Sequence, residues 1–196
     1  MKNKILFINS CIRPKSRTEE LSRYLLDRLD GEITEVDLYK ERILPLCNDG
    51  IEKRTVHDIS GAEFEYARQF SKADIIVIAA PFWDLSFPSV LKIYLENVTV
   101  SGITFDYSEK GSPVSKCVAK KLYYITTSGG YIGSNNLGFD YVKALSENFF
   151  GINDVSFYSA EGLDIDGADV RHIMDEAKER ITNSYKTDLE EVIEHD

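Results

Sequence analysis

The sequence predicts an α/β protein built on a doubly wound, five-stranded parallel sheet of order 2-1-3-4-5, with helices on both faces. Short apolar runs rich in β-formers alternate with amphipathic helical stripes along most of the chain. The runs at residues 4–9 and 73–80 are apolar without alternation, as strands covered on both faces are. No repeat, low-complexity segment or interdomain linker interrupts the pattern, so residues 1–182 are expected to form a single domain followed by a polar tail, 183–196.

The first strand is Lys4 to Asn9. Ser16 with Glu19 three residues later is a capping-box pattern, and Leu21, Leu25 and Leu29 then share one helix face before Gly31. Glu32 to Leu38 alternates polar and apolar residues, as an edge strand would. Tyr39 to about Ser60 reads as a long connection. A helix carrying Phe64, Ala67 and Phe70 leads into the central strand Ala73–Ala80. Pro88 is expected at the first helical position of the next helix, whose stripe is Leu91, Tyr94, Leu95 and Val98. Lys121–Thr127 is a further buried strand, followed by a helix with Leu137, Tyr141, Leu145 and Phe149 inward, ending at Gly151. A strand over 155–160 and a last helix carrying Val170, Ile173, Met174, Ala177 and Ile181 complete the series.

The formal net charge of −10 and pI near 4.9 give a field that repels phosphate backbones and anionic lipid, so neither nucleic acid nor a membrane surface is an expected partner. The opening apolar run is too short for a signal-peptide core, and the chain is expected in the cytoplasm. Cys11, Cys47 and Cys117 are far apart and form no C-x-x-C pair, which argues against a disulfide framework or a metal site. His57, His172 and His195 are scattered and read as surface residues. Asp164 and Asp166 before Gly167 lack calcium-loop spacing and read as helix capping. G-x-G-x-x-G does not occur, against a dinucleotide pyrophosphate site.

In a doubly wound sheet, ligands bind outside the strand carboxyl ends at the switch point, which singles out three loops. After the first strand, Ser10 to Thr18 places hydroxyls and the cations Arg13, Lys15 and Arg17 before a helix amino terminus, which suits either a phosphate or an ordinary helix cap. After the third strand, Pro81-Phe82-Trp83-Asp84-Leu85-Ser86-Phe87-Pro88 holds the only tryptophan; its aromatics could wall a flat ring or simply pack the loop onto the next helix. After the fourth, Thr127-Ser128-Gly129-Gly130 allows close backbone approach of a planar ligand, or a flexible turn. One ligand with a phosphate at one end and a fused ring at the other accounts for all three.

Ser10 with Ser16-Arg17-Thr18, then Pro81 to Leu85 with Pro88, then Thr127 to Gly130, together with Val100 to Lys110, resemble the FMN-dependent NADH-azoreductase and quinone reductase family of the flavodoxin-like fold. The resemblance implies FMN held with its phosphate at Ser10, Ser16, Arg17 and Thr18. It further implies the isoalloxazine against Phe82, Trp83, Asp84 and Leu85, with Pro81 also in the cofactor site and more contacts from Thr127, Ser128, Gly129 and Gly130. It also implies a homodimer with two sites at the interface, and ping-pong hydride transfer from NADH or NADPH to a small aromatic acceptor such as a quinone, azo dye or nitroaromatic. The chain departs from the family where Trp83-Asp84 replaces the usual Tyr-Asn, putting an acceptor-only carboxylate in place of an amide, and where Ser128 stands at a frequent Arg position. Such chemistry needs no side-chain acid or nucleophile, and no catalytic residue is expected.

Two other readings compete. Cys11 and Arg17, with five residues between them and Thr18 following, match the C-x5-R-[S/T] pattern resembling low-molecular-weight phosphatases, where Cys11 would be a thiolate nucleophile and Arg17 a phosphoryl ligand. Pro14 and the absence of any Asp-Pro acid loop stand against it, and Cys11 otherwise reads as a small buried filler. A flavodoxin-type electron carrier is the other, and the acidic surface suits docking to protein partners.

Overall fold

A computed structural model of the chain describes residues 2–194, with side chains described through residue 185. The central sheet holds β1 (Asn3–Asn9), β2 (Gly31–Asp37), β3 (Ile75–Ala79), β6 (Lys121–Thr127) and β7 (Asp154–Ala160) in the order β2-β1-β3-β6-β7, all parallel. In chain order the helices are α1 (Arg17–Leu26), α2 (Leu38–Glu41), α3 (Asn48–Thr55), α4 (Glu65–Lys72), α5 (Ser89–Val98), α6 (Leu137–Leu145) and α7 (Val170–Glu194). A separate antiparallel hairpin pairs β4 (Phe105–Tyr107) with β5 (Pro113–Ser115). The expected 2-1-3-4-5 winding is therefore the observed one, with the hairpin inserted between its third and fourth strands. Among the described residues, no helix is long and apolar enough to cross a membrane.

Period-two alternation explains why the strands read as unbroken apolar runs. Ile5, Phe7, Val77, Ala79, Tyr123 and Ile125 face α1 and α7, where Leu21, Leu25, Met174, Ala177 and Ile181 close over them. Leu6, Ile8, Ile76, Ile78, Leu122 and Tyr124 face the opposite way onto Phe70, Leu91, Tyr94, Leu95, Val98 and Val142. Each such fully buried Ile, Leu or Phe contributes about 1.5–3 kcal/mol relative to exposure. β2 lies at the edge and is the most exposed strand, which is why its pattern alternates.

Several expectations are corrected by the structure. The connection after β2 carries two short helices, α2 capped by the Asp37 carboxylate and α3, whose polar sequences have no apolar stripe to announce them. Pro88 caps α5 from outside, one residue before its first turn. The inward stripe of α6 runs one residue later than expected: Gly138, Val142, Ser146 and Phe150 are buried, whereas Leu137 is exposed. At Gly138 the helix lies close to the sheet and the loop after β3: a Cβ there would stand 3.0 Å from the Tyr124 hydroxyl and 3.1 Å from the Ser86 carbonyl carbon. The helix passes into a wide turn at Ser146–Phe150 before ending at Gly151, as expected. α7 continues to Glu194, beyond the apolar stripe that ends at Ile181. Its cap is Asp169, whose carboxylate accepts from the His172 N–H at 3.0 Å, and neither Asp164 nor Asp166 serves that role.

The parallel register carries the carboxyl ends of the strands to one edge. Asn9 lies opposite both Asp37 and Ala79, Ala79 lies opposite Ile125, and Thr127 lies opposite Ala160. The loops that follow β1, β3, β6 and β7 consequently converge.

Candidate functional site

The loop after β1 is anchored before it turns. Ser10 is fully buried and donates both its backbone N–H (3.0 Å) and its hydroxyl (2.7 Å) to the Ala79 carbonyl. Cys11 N–H bonds the Asn9 side chain at 3.0 Å, and the chain swings through Lys15 in the left-handed region (φ 59°). Ser16 then caps α1, its hydroxyl accepting from the Glu19 N–H. The first N–H groups of a helix have no intrahelical carbonyl to bond and carry the positive end of its dipole, so Arg17 and Thr18 present an anion-binding end. Glu19, in that first turn, is paired with Arg23, which also holds Glu35.

The loop after β3 is tied to the next loop by Phe82 N–H donating to Thr127 O at 3.1 Å. Trp83 and Ser86 then exchange backbone hydrogen bonds of 2.9 and 2.8 Å around a two-residue turn. Its central residues, Asp84 (φ 50°) and Leu85 (φ 67°), are both left-handed, the conformation of a type I′ hairpin turn. Asp tolerates that region; Leu does so at a cost of about 1 kcal/mol. The turn is also pinned from α6, where Leu137 N–H donates to Leu85 O at 3.1 Å.

The loop after β6 is zipped to the one after β7. Ser128 N–H bonds Ala160 O (3.0 Å), Leu163 N–H bonds Ser128 O (3.1 Å), Asp164 N–H bonds Gly129 O (2.9 Å), and Gly162 N–H bonds Gly130 O (3.0 Å). The buried Ser128 hydroxyl turns inward to Gly130 O at 2.6 Å. Two side-chain links then cross between this pair of loops and α1. The Thr18 and Thr127 hydroxyls share a 2.7 Å hydrogen bond, and Arg17 Nη1 donates to Asp164 Oδ1 at 3.0 Å.

A cleft of about 350 Å³ opens where the loops meet. Of the sequence-predicted residues, Ser16, Arg17, Thr18, Pro81, Phe82, Trp83, Thr127, Ser128 and Gly129 line it. Ser10, Asp84, Leu85 and Gly130 do not: Ser10 is engaged beneath the loop, Asp84 and Leu85 form the exposed turn, and Gly130 lies on the β6–β7 zipper. The cleft also takes in Ile12, Arg13, Pro14, Lys15, Leu163 and Asp164. Leu163 and Asp164 were missed because the pair of aspartates read as a cap; their position just past the carboxyl end of β7 was the available signal. The arrangement offers cations, hydroxyls and a helix end on one side, aromatic side chains on another, and glycine-bearing backbone between them, as a ligand combining phosphate with a planar ring requires.

Cys11 is buried beside this cleft and its thiol is pushed up to about 12 by desolvation, the opposite of what a thiolate nucleophile needs. Burial therefore speaks against the phosphatase reading, and Cys11 packs into the core with Phe7, Leu21 and Leu25. His57 is exposed and His172 faces Glu176 at the surface; His195 lies outside the described residues.

The chain matches the flavodoxin-like fold family over residues 3–184. A protein of Clostridium beijerinckii named FMN-dependent NADH:quinone oxidoreductase is 36% identical, covering 94% of this chain and 98% of its own length. A Clostridium acetobutylicum protein, FMN-dependent NADH:quinone oxidoreductase 2, is also 36% identical, over 91% of this chain and 98% of its own. In fold, an azoreductase from Bacillus anthracis superposes with a TM-score of 0.81 at 23% identity, over 93% of this chain and 98% of that one.

Two outcomes follow from the geometry. Leu85→Gly relieves the left-handed Leu and raises stability to denaturant by roughly 1 kcal/mol; unchanged or lower stability contradicts a strained turn. Thiol labelling of the folded protein near pH 8 modifies the exposed Cys47 and spares Cys11 and Cys117, both pushed up to about 12 by burial; rapid labelling of Cys11 contradicts its assignment to the core.

Proposed function

From the premise that the chain belongs to the flavodoxin-like fold family, we propose that it is an FMN-dependent oxidoreductase passing hydride from NADH or NADPH to quinone, azo or nitroaromatic acceptors by a ping-pong mechanism. The observation that carries the reading is the convergence of three chemically different loops on one cleft. Relatives covering nearly all of this chain bear the name of that activity.

The residues present fit FMN. Ser16, Arg17 and Thr18 stand at the amino end of α1, and the flanking Arg13 and Lys15 line the same cleft, an anion subsite on a protein of net charge −10. Pro81, Phe82 and Trp83 would carry the ring, and the backbone at Thr127, Ser128 and Gly129 would meet its polar edge. When bound, FMN supplies the two-electron chemistry, and the protein orients it, shields it from water and sets its electrostatics. Asp84 and Leu85 act through the turn that presents Trp83. Ser10 supports the phosphate loop from beneath through Ala79.

Ile12 and Trp83 of the cleft are exposed apolar side chains, as are Leu85 and Leu137 at the turn after β3, and a second copy of the chain would cover them and complete an acceptor pocket. Free thiols at Cys11, Cys47 and Cys117 accord with a cytoplasmic location.

Anaerobic mixing of FMN-loaded protein with NADH or NADPH bleaches the flavin, and added benzoquinone restores its colour over repeated turnovers. Bound flavin that stays oxidised with both nucleotides would leave only the electron-carrier reading standing.

A further inference from the structure

Asp164 has no part in the chemistry above, and the sequence pattern assigns it only to a cap that Asp169 fills instead. Its placement is tightly specified. Its backbone N–H is bonded to Gly129 O at 2.9 Å, and its carboxylate lies so close to Gly129 that a Cβ there would stand 2.5 Å from Oδ2. From this position Oδ1 takes Arg17 Nη1 at 3.0 Å, while the Leu163 carbonyl takes the same nitrogen at 3.4 Å. Among the described residues, Arg17 Nε and Nη2 are left without a partner.

We propose that Asp164 is a positioning residue: from the β7–α7 loop it holds the Arg17 guanidinium over the cleft so that the remaining donors are set to receive the phosphate of the flavin. The inference rests on the flavin reading above. A long Arg side chain at a helix start is otherwise free to rotate into solvent, and fixing it beforehand lowers the entropic cost of binding. A guanidinium has enough donors in a planar fork to serve a carboxylate through one nitrogen and a phosphate through the others. The pair is no structural staple, because its side chains are 40% and 67% exposed, and ion pairs so exposed add little to stability. Gly129 then has a second role, since any side chain there displaces the carboxylate that aims Arg17.

The test compares dissociation constants for FMN and for riboflavin, which lacks the phosphate, read by flavin fluorescence in the full chain. Asp164→Ala should weaken FMN binding by a few-fold and up to about tenfold, the cost of ordering one rotamer-rich side chain on binding, while riboflavin binding and the thermal midpoint stay unchanged. Asp164→Asn, whose amide oxygen can still accept from Nη1, should fall between the two. In an Arg17→Ala background, Asp164→Ala should have no further effect. Equal weakening of both flavins, tighter FMN binding, or a full second loss in the Arg17→Ala background would overturn the assignment. A wild-type chain that binds neither flavin would instead remove the flavin reading itself, and this inference with it.

Discussion

β1 and β3 run parallel with Asn9 opposite Ala79, and Ser10 then closes two hydrogen bonds onto the Ala79 carbonyl. That one junction fixes where the chain leaves the sheet on both sides of the switch point. With it in place, the loop after β1 turns up into α1, the loop after β3 turns toward α6, and the register between β6 and β7 brings the remaining two loops alongside. The cleft is a product of strand register, because its lining residues are far apart in sequence and share only a position just past a strand end. Ser10 shows how scaffold and site divide the work: it sits in the motif of the proposed phosphate loop, yet its hydroxyl is engaged with the sheet.

Charge is distributed against the average. The chain is acidic overall, but carboxylates flanking the proposed anion subsite are paired with cations: Glu19 and Glu35 with Arg23, and Asp164 with Arg17. Pairing of this kind lets a helix amino terminus keep its attraction for a phosphate on an otherwise repelling surface. The strained turn at Asp84–Leu85 supplies the complementary feature, holding the tryptophan at the other side of the cleft by two backbone hydrogen bonds and a third from α6. Left-handed residues of this sort are characteristic of sites whose geometry the surroundings over-determine.

The strands were legible because burial on both faces writes an apolar run directly into the chain, and their order followed from right-handed crossovers. The loops past β1, β3 and β6 were legible for the same topological reason. What the sequence did not disclose has physical causes. α2 and α3 bury almost nothing and so carry no stripe; α6 faces inward through Gly138 and Ser146, residues that hydrophobicity does not mark. Asp164 was misread because an aspartate near a helix start is also the commonest cap, and only the fold shows Asp169 in that place and Asp164 against Arg17. Cys11 and Arg17 matched a nucleophile motif by spacing, but spacing carries no information on burial, and burial decides thiol acidity.

The central claim is that one FMN spans the cleft with its ring against the loop after β3. Trp83 is the only tryptophan in the chain and lines that cleft, so its emission reports the ring directly. Titrating the protein with FMN while exciting tryptophan selectively should quench Trp83 saturably, with the same midpoint as the change in flavin fluorescence. Flavin that binds while Trp83 emission stays unchanged would place the ring elsewhere and contradict the account.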